Sequence, residues 1–105
     1  MLLAKSDADG AIAKFEEAHK RGPHFADALE GLGEALMAKN EAGRALEKFT
    51  AANTYAPNWG RLHLKWGEAL TAMGRTDDAK MQINAASQLS LSAADRAAVK
   101  RLTSP

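Results

Sequence analysis

The tetrapeptide Gly33-Glu34-Ala35-Leu36 returns unchanged as Gly67-Glu68-Ala69-Leu70 further along the chain. Many other positions recur at the same distance, and a period of about 34 residues indicates a repeat architecture in which each unit buries its apolar face by stacking on its neighbours. Such folds present extended surfaces rather than enclosed pockets. The further matches are Phe15 with Phe49, Pro23 with Pro57, and the triples Leu2/Leu36/Leu70, Ala11/Ala45/Ala79 and Ala18/Ala52/Ala86.

The order of small and large residues within one period predicts a helix, a turn and a second helix. Small residues at regular intervals allow two helices to approach closely, while larger apolar residues such as Leu36 and Phe49 fill the space around them. Pro57 follows the second helix because proline cannot continue it. Val and Ile are scarce, so strands are not expected. The predicted helices span about 8–21, 25–38, 42–55, 59–72 and 76–89, with a sixth after Ser92.

One complete period resembles the tetratricopeptide repeat. With Ala26 as its first position, the small and large residues typical of that family follow at the expected places: Leu32, Gly33, Leu36, Ala45, Phe49, Ala52 and Pro57. The next period, from Gly60, keeps most of them but has His63 and Leu91 where the family favours Trp and Pro. The resemblance implies an all-α fold of antiparallel helix-turn-helix repeats, stacked as an α-solenoid.

We therefore expect about two and a half repeats and a C-terminal capping helix within a single domain, 1–105. The partial first repeat covers 1–25, the second 26–59, the third 60–91, and the capping helix and tail 92–105. An amphipathic helix at the end of a solenoid covers an apolar flank that water would otherwise reach. The spacing of polar residues also predicts helix N-caps, namely Ser6 with Asp9, Thr76, and Ser92 with Asp95.

Charge and composition limit the classes of function. The formal net charge is +1 and cysteine is absent, so neither bulk attraction to polyanions nor thiolate metal sites are expected. The basic residues near the end suit the dipole of a helix, and we expect no nucleic-acid partner. No signal peptide or long apolar run is evident, which favours a soluble, cytoplasmic protein with no membrane partner.

Residues that could carry catalysis or hold a metal are scattered. His19, His24 and His63 do not have the spacing of a helical metal site, and no nucleophile, base and orienting group are brought together by the pattern. We expect no enzyme activity, no metal and no cofactor. The three histidines are interpreted as surface or packing residues.

The family resemblance implies that the first helix of each repeat lines a groove for a peptide or a partner protein, which makes the chain a protein-interaction scaffold. Arg61 and Lys65 match two basic positions of repeats that grip acidic C-termini, although Gly31 stands where such repeats have Asn. The same two cations could instead pair with Asp27, Glu30 and Glu34 on the neighbouring helix. The groove positions that we expect to contact a partner are Asp27, Glu30, Glu34, Met37, Arg61, Leu64, Lys65, Glu68 and Thr71.

The first repeat is incomplete, since residues 1–5 supply only the last turn of its first helix. An uncovered face of the following helix, with Ile12 and Phe15, would be an apolar patch that soluble monomers rarely expose. Two other functions therefore remain open: a structural unit that forms homo-oligomers through this flank, or an accessory segment of a larger protein. We favour the interpretation that the chain is a piece of a longer array of repeats over the pairing of two copies.

Overall fold

The computed structural model describes residues 5–21 and 26–103. This part of the chain contains six α-helices, and no strand occurs within it. The all-α prediction is confirmed, and the helix ends lie within a few residues of those predicted. The helices are α1 (Lys5–Arg21), α2 (Ala26–Ala38), α3 (Ala42–Tyr55), α4 (Gly60–Ala72), α5 (Thr76–Ser87) and α6 (Ala93–Thr103).

The helices pack in the order of the chain, as expected for stacked repeats. α2 lies against α3 and α4 against α5, while α3 joins the two pairs by packing on α4. Buried Leu36 and Phe49 belong to the larger apolar core, and Leu62 of α4 extends that core into the next pair. A second cluster, Leu64, Ile83, Ala86 and Val99, joins α4, α5 and α6. The predicted capping helix therefore covers the last pair through Val99.

Close helix approach explains the repeated glycines. A Cβ atom on Gly67 would lie 2.6 Å from Cγ1 of Ile83 and 3.2 Å from the carbonyl oxygen of Ala79. A Cβ atom on Gly33 would overlap the ring of Phe49. The same crossing is thus built once in each period, with an aromatic ring against one glycine and an aliphatic side chain against the other.

The turns inside the two pairs are also equivalent. Asn40 has a φ of 65°, and Gly74, at the same position of the next period, has a φ of 76°. Asparagine and glycine are the residues that adopt this left-handed conformation most readily. In both turns the next amide donates to a carbonyl five residues back, from Glu41 to Leu36 at 2.8 Å and from Arg75 to Leu70 at 2.9 Å. The backbone therefore repeats even where the residue type changes.

One of the three predicted N-caps is confirmed. The Ser92 hydroxyl accepts a hydrogen bond from the Asp95 amide at 3.1 Å, which satisfies an otherwise unpaired donor at the start of α6. Thr76 is wrong as a cap, because it is the first residue of α5 and Arg75 occupies the cap position. Ser6 is also wrong, because α1 already includes Lys5.

Helix α1 packs on α2, which corrects the expectation that Ile12 lies on an uncovered face. The Ile12 side chain is only 8% exposed and joins the larger core. An ion pair of 2.6 Å joins Asp9 of α1 to Lys39, the residue that directly follows α2. Because its side chain is buried within the chain itself, Ile12 cannot serve as a contact for a second copy. The Phe15 side chain and residues 1–4 lie outside the described residues.

Candidate partner-binding face

Arg61 lies in the first turn of α4 and joins three helices. Its Nε and Nη2 atoms donate to the two carboxylate oxygens of Glu34 on α2, at 3.1 and 2.8 Å. Its Nη1 atom donates to Oδ1 of Asp95 on α6, at 2.6 Å. The fork of a guanidinium suits this bidentate geometry. The contacts place α2, α4 and α6 on one side of the molecule, which we call the α2–α4–α6 face.

Glu30 lies beneath this pair and is the least ordinary carboxyl group of the face. Its side chain is 6% exposed, and its Oε1 atom lies 3.7 Å from Nε of Arg61 without making a hydrogen bond. Burial raises the pKa of Glu30 to about 9, and the hydrogen bond and negative charge of Glu34 add to that effect. Arg61 and Lys65 oppose it only in part. Glu30 is therefore a neutral acid at pH 7.

Glu34 and Arg61 remain charged beside that neutral acid. Burial alone would raise the pKa of Glu34, but hydrogen bonds from Glu30 and Arg61 outweigh it, so the pKa lies below its ordinary value. Burial would likewise lower the pKa of the Arg61 guanidinium. The hydrogen bonds and charges of Glu34 and Asp95 reverse this effect and keep that pKa above its usual value. Glu30 and Glu34 thus divide the roles of proton donor and charged acceptor.

Lys65, the second predicted cation, has a different surrounding. Its Nζ atom lies 3.1 Å from Oε1 of Glu68 on its own helix, as part of an i,i+3 pair. Thr71, one turn further on, donates to the carbonyl of Gly67 at 2.9 Å. Arg61 therefore holds helices together, whereas Lys65 makes a local contact within α4.

The predicted contact residues differ in their access to a partner. Leu64 is completely buried beside Val99 of α6, which corrects the expectation that it lines an open groove. Glu30 is also buried, so it can influence a ligand only through Glu34 and Arg61. The remaining positions are reachable: Asp27 and Thr71 are exposed, and Glu34, Met37, Arg61, Lys65 and Glu68 are partly buried.

Asp95 is a hydrogen-bond partner of Arg61 that the sequence interpretation missed. The spacing assigns it to a helix cap, yet its carboxylate bonds Arg61 while only its backbone amide takes part in the cap. The repeat period carried a signal, because Asp27, Arg61 and Asp95 occupy the same register of successive periods. An acid, a base and an acid at equivalent positions of α2, α4 and α6 favour ion pairs between these helices.

His63 is a packing residue, as interpreted from the sequence. Its ring is 8% exposed, with Nε2 at 2.7 Å from the carbonyl oxygen of Pro57 and Nδ1 at 2.7 Å from the side-chain amide of Gln82. It also stacks on Trp66, with 6.0 Å between the ring centroids. Among the described residues, no group of His, Cys, Asp and Glu is arranged to hold a metal ion. The His19 side chain and His24 lie outside the described part.

Comparison with known proteins supports the repeat interpretation. A family model described as Tetratricopeptide repeat matches residues 2–47, which include α1, α2 and the start of α3. The equivalent glycine crossings and turns extend the same architecture through α4 and α5. No curated protein matches the chain. In the described ranges, no helix is both long and apolar enough to cross a bilayer. The resemblance inferred from the repeat period is thus confirmed for residues 2–47, which match the tetratricopeptide repeat family; its fold generally serves protein–protein interaction and is typically non-enzymatic.

Proposed function

We propose that the chain binds a segment of a partner protein on the α2–α4–α6 face, and that this segment is basic or apolar rather than an acidic C-terminus. The observation that carries the proposal is the saturation of Arg61. Its three donor atoms Nε, Nη1 and Nη2 are all directed at carboxylates of the chain itself, those of Glu34 and Asp95. A ligand carboxylate would have to displace one of them.

The charge balance of the face favours the same conclusion. The four carboxylates of Asp27, Glu34, Glu68 and Asp95 stand against two cations, Arg61 and Lys65, while Glu30 holds its proton at neutral pH. Lys65 already has Glu68 beside it. A cationic side chain of the partner could reach the exposed Asp27 and the partly buried Glu68, and Met37, near the other end of α2 from Asp27, offers a partly exposed apolar contact. Steering by such a face depends on ionic strength.

Affinity is expected to be modest. Two complete repeats give a short groove, and the rim charges of an interface contribute more to association rate and specificity than to affinity. A micromolar dissociation constant, equivalent to about 8 kcal/mol of binding free energy, is a reasonable expectation.

A peptide panel tests the proposal. Three synthetic peptides would share the same apolar residues and carry Lys, Glu or Ser at the intervening positions, and each would be titrated into the ¹⁵N-labelled chain. We expect the Lys peptide to bind most tightly, to shift amide signals of α2 and α4, and to bind more weakly as salt is added. The double variant Asp27→Lys with Glu68→Lys should lose at least about tenfold in affinity, or roughly 1.4 kcal/mol.

Glu47→Lys is the matched control, since Glu47 is exposed on α3, the second helix of a repeat, and the change has the same sign of charge. This variant should bind the Lys peptide as the wild type does at the same salt concentration. Tighter binding of the Glu peptide, or amide shifts confined to α3 and α5, would contradict the proposal.

A further inference from the structure

A second surface lies between α5 and α6, at the C-terminal end of α6. A cleft of about 300 Å³ opens there, lined by Lys80, Ile83, Asn84, Leu102 and Thr103. Leu102 is 43% exposed, although it is a large apolar side chain, and Ile83 lies at the edge of the buried cluster of α4–α6. The cleft therefore has apolar side chains with polar groups around them, as ligand sites in proteins often have.

The charges beside this cleft are mostly positive. Residues three, four and seven apart share one side of a helix, which places Arg96 and Lys100 on the same stripe of α6 as the cleft residue Thr103. Arg96 lies about 10 Å along the helix axis from Thr103 at 1.5 Å per residue. Lys80 supplies a further cation from α5. Asp77, one turn before Lys80, is the acidic residue of α5 on that side. Asp95, seven residues before Leu102, shares a side of α6 with it, but its carboxylate is bonded to Arg61. Lys80, Arg96 and Lys100 therefore outnumber Asp77 beside the cleft.

Arg101 provides an internal contrast on the same helix. Val99 is buried against α4 and α5, and a residue two positions later lies about 200° around a helix of 3.6 residues per turn. Arg101 is thus directed away from the cleft, and it is exposed like Arg96. Arg96 and Arg101 carry the same charge and belong to the same helix, but they lie on different sides of α6.

We propose that the α5–α6 cleft binds an acidic amphipathic helix of a partner protein. The groove between two packed helices fits the side-chain ridge of a third. Apolar side chains of the partner helix would cover Leu102 and Ile83, and its carboxylates would lie along Lys80 and Arg96. The partner chemistry follows from the charge of the cleft, which is opposite to that of the α2–α4–α6 face. The inference therefore does not depend on the function proposed for that face.

The test uses the full chain and a synthetic 18-residue helical peptide with a stripe of Leu flanked by Glu. Its matched control has the same Leu stripe and Lys in place of Glu. Fluorescence anisotropy would give the affinities, and ¹⁵N spectra would locate the contact. The Glu peptide should bind at least about tenfold more tightly than the Lys peptide, with shifts in α5 and α6, and added salt should weaken it.

Variants of the chain then separate the cleft from the rest of α6. The double variant Lys80→Glu with Arg96→Glu should lose at least about tenfold in affinity for the Glu peptide, and Leu102→Ser should also weaken it. Arg101→Glu should stay within about twofold of wild type, after correction for net charge with Glu47→Lys as the opposite reference. The substituted side chains are all exposed, and circular dichroism melts would verify that each variant is folded.

Several results would overturn the proposal. One is an equal loss of affinity in Arg101→Glu and in Arg96→Glu alone, since the side of α6 would then be irrelevant. A second is tight binding to phosphatidylserine vesicles without binding of the Glu peptide, which would identify a membrane as the occupant. A third is a dimer at micromolar concentration that the Lys80→Glu change disperses, which would identify a second copy of the chain. Loss of Glu-peptide binding in Asp27→Lys with Glu68→Lys, but not in the cleft variants, would assign the peptide to the α2–α4–α6 face.

Discussion

The α2–α3 and α4–α5 pairs share one scaffold but differ in chemistry at the buried position that Glu30 holds in the first pair and Leu64 in the second. Glu30 and Leu64 occupy equivalent positions of the two periods, and both are buried. Each lies one turn before the glycine at the helix crossing, Gly33 or Gly67. Leu64 meets Val99 of α6 in an apolar cluster. Glu30 lies under Glu34 and Arg61 and keeps its proton up to a pKa of about 9.

This difference shows that the repeat period fixes where a side chain lies but not which chemistry surrounds it. A buried acid is tolerated only when it is neutral or paired. In the first pair Glu30 is neutral, and the charge of its neighbour Glu34 is met by Arg61 from the next pair. The second pair needs no such arrangement, because α6 supplies an apolar side chain. Glu34 therefore links α2 to α4 through Arg61, and Asp95 extends that link to α6.

The largest effect is expected where the two pairs are the same. Gly67→Leu should lower the free energy of unfolding by at least about 1–3 kcal/mol, because the side chain would overlap Ile83 and approach the backbone at Ala79. The gain in helix propensity is below about 1 kcal/mol and does not compensate. Thermal and urea melts would measure the change.

Gly43→Leu is the matched control, since a Cβ atom there meets only the Met73 methyl group at 3.9 Å. It should leave the unfolding midpoint unchanged or raise it slightly. An equal loss in both variants, or none in Gly67→Leu, would mean that the helix crossing is misassigned.

The next effect separates the two cations of the face. Arg61→Met should destabilise the fold by about 1–3 kcal/mol, because Glu34 and the mostly buried Asp95 would lose their shared partner. Arg61 is partly exposed, so the loss should be smaller than for a fully buried ion pair. Lys65→Met removes only a local i,i+3 contact and should cost less than about 0.5 kcal/mol. Equal losses measured by urea unfolding would contradict the distinction between the two cations.

A smaller effect, which depends on pH, tests the contrast between Glu30 and Leu64. The folded chain keeps the Glu30 proton up to a pKa of about 9, while the unfolded chain releases it near the ordinary value of 4.5. The contribution of Glu30 to stability is therefore complete below about pH 4.5 and is lost as pH rises toward 9. Glu30→Gln imitates the protonated acid, so it should gain about 1–2 kcal/mol over wild type at pH 8 and little at pH 5.

Melts at pH 5 and pH 8 would give this difference directly. Glu34 contributes with the opposite sign, because its pKa is lowered and its stabilisation is lost as pH falls through that pKa. For this reason the comparison is made at and above pH 5. A gain that is equal at both pH values would show that Glu30 is ionised in the folded chain.

The scaffold was predictable from the sequence because it depends on local spacing. Gly33 and Gly67 marked the crossings, Pro57 marked a helix end, and Ser92 marked the start of the capping helix. The face was less predictable, since it depends on which helix lies above each residue. Position within the repeat suggested that Leu64 is open, yet α6 covers it; the short first repeat suggested that Ile12 is uncovered, yet it packs on α2.

Partner choice among charges was equally hard to infer. Arg61 could be matched with Glu34 on the neighbouring helix from the period alone, whereas Asp95 could be placed beside it only once the approach of α6 was known. The pattern suggested that Lys65 acts together with Arg61. In the structure, Lys65 instead donates a hydrogen bond to Glu68 on its own helix.

The central claim is that Arg61 links helices of its own chain and is not available to bind a carboxylate of a ligand. A double-mutant cycle with Arg61→Met and Asp95→Asn tests it most directly, because the two groups are 2.6 Å apart and lie on different helices. Urea unfolding of the four proteins should give a coupling free energy of about 1–2 kcal/mol, with the double variant losing less than the sum of the single losses. Additive losses, within about 0.3–0.5 kcal/mol, would contradict the claim and return Arg61 to the set of residues available to a partner.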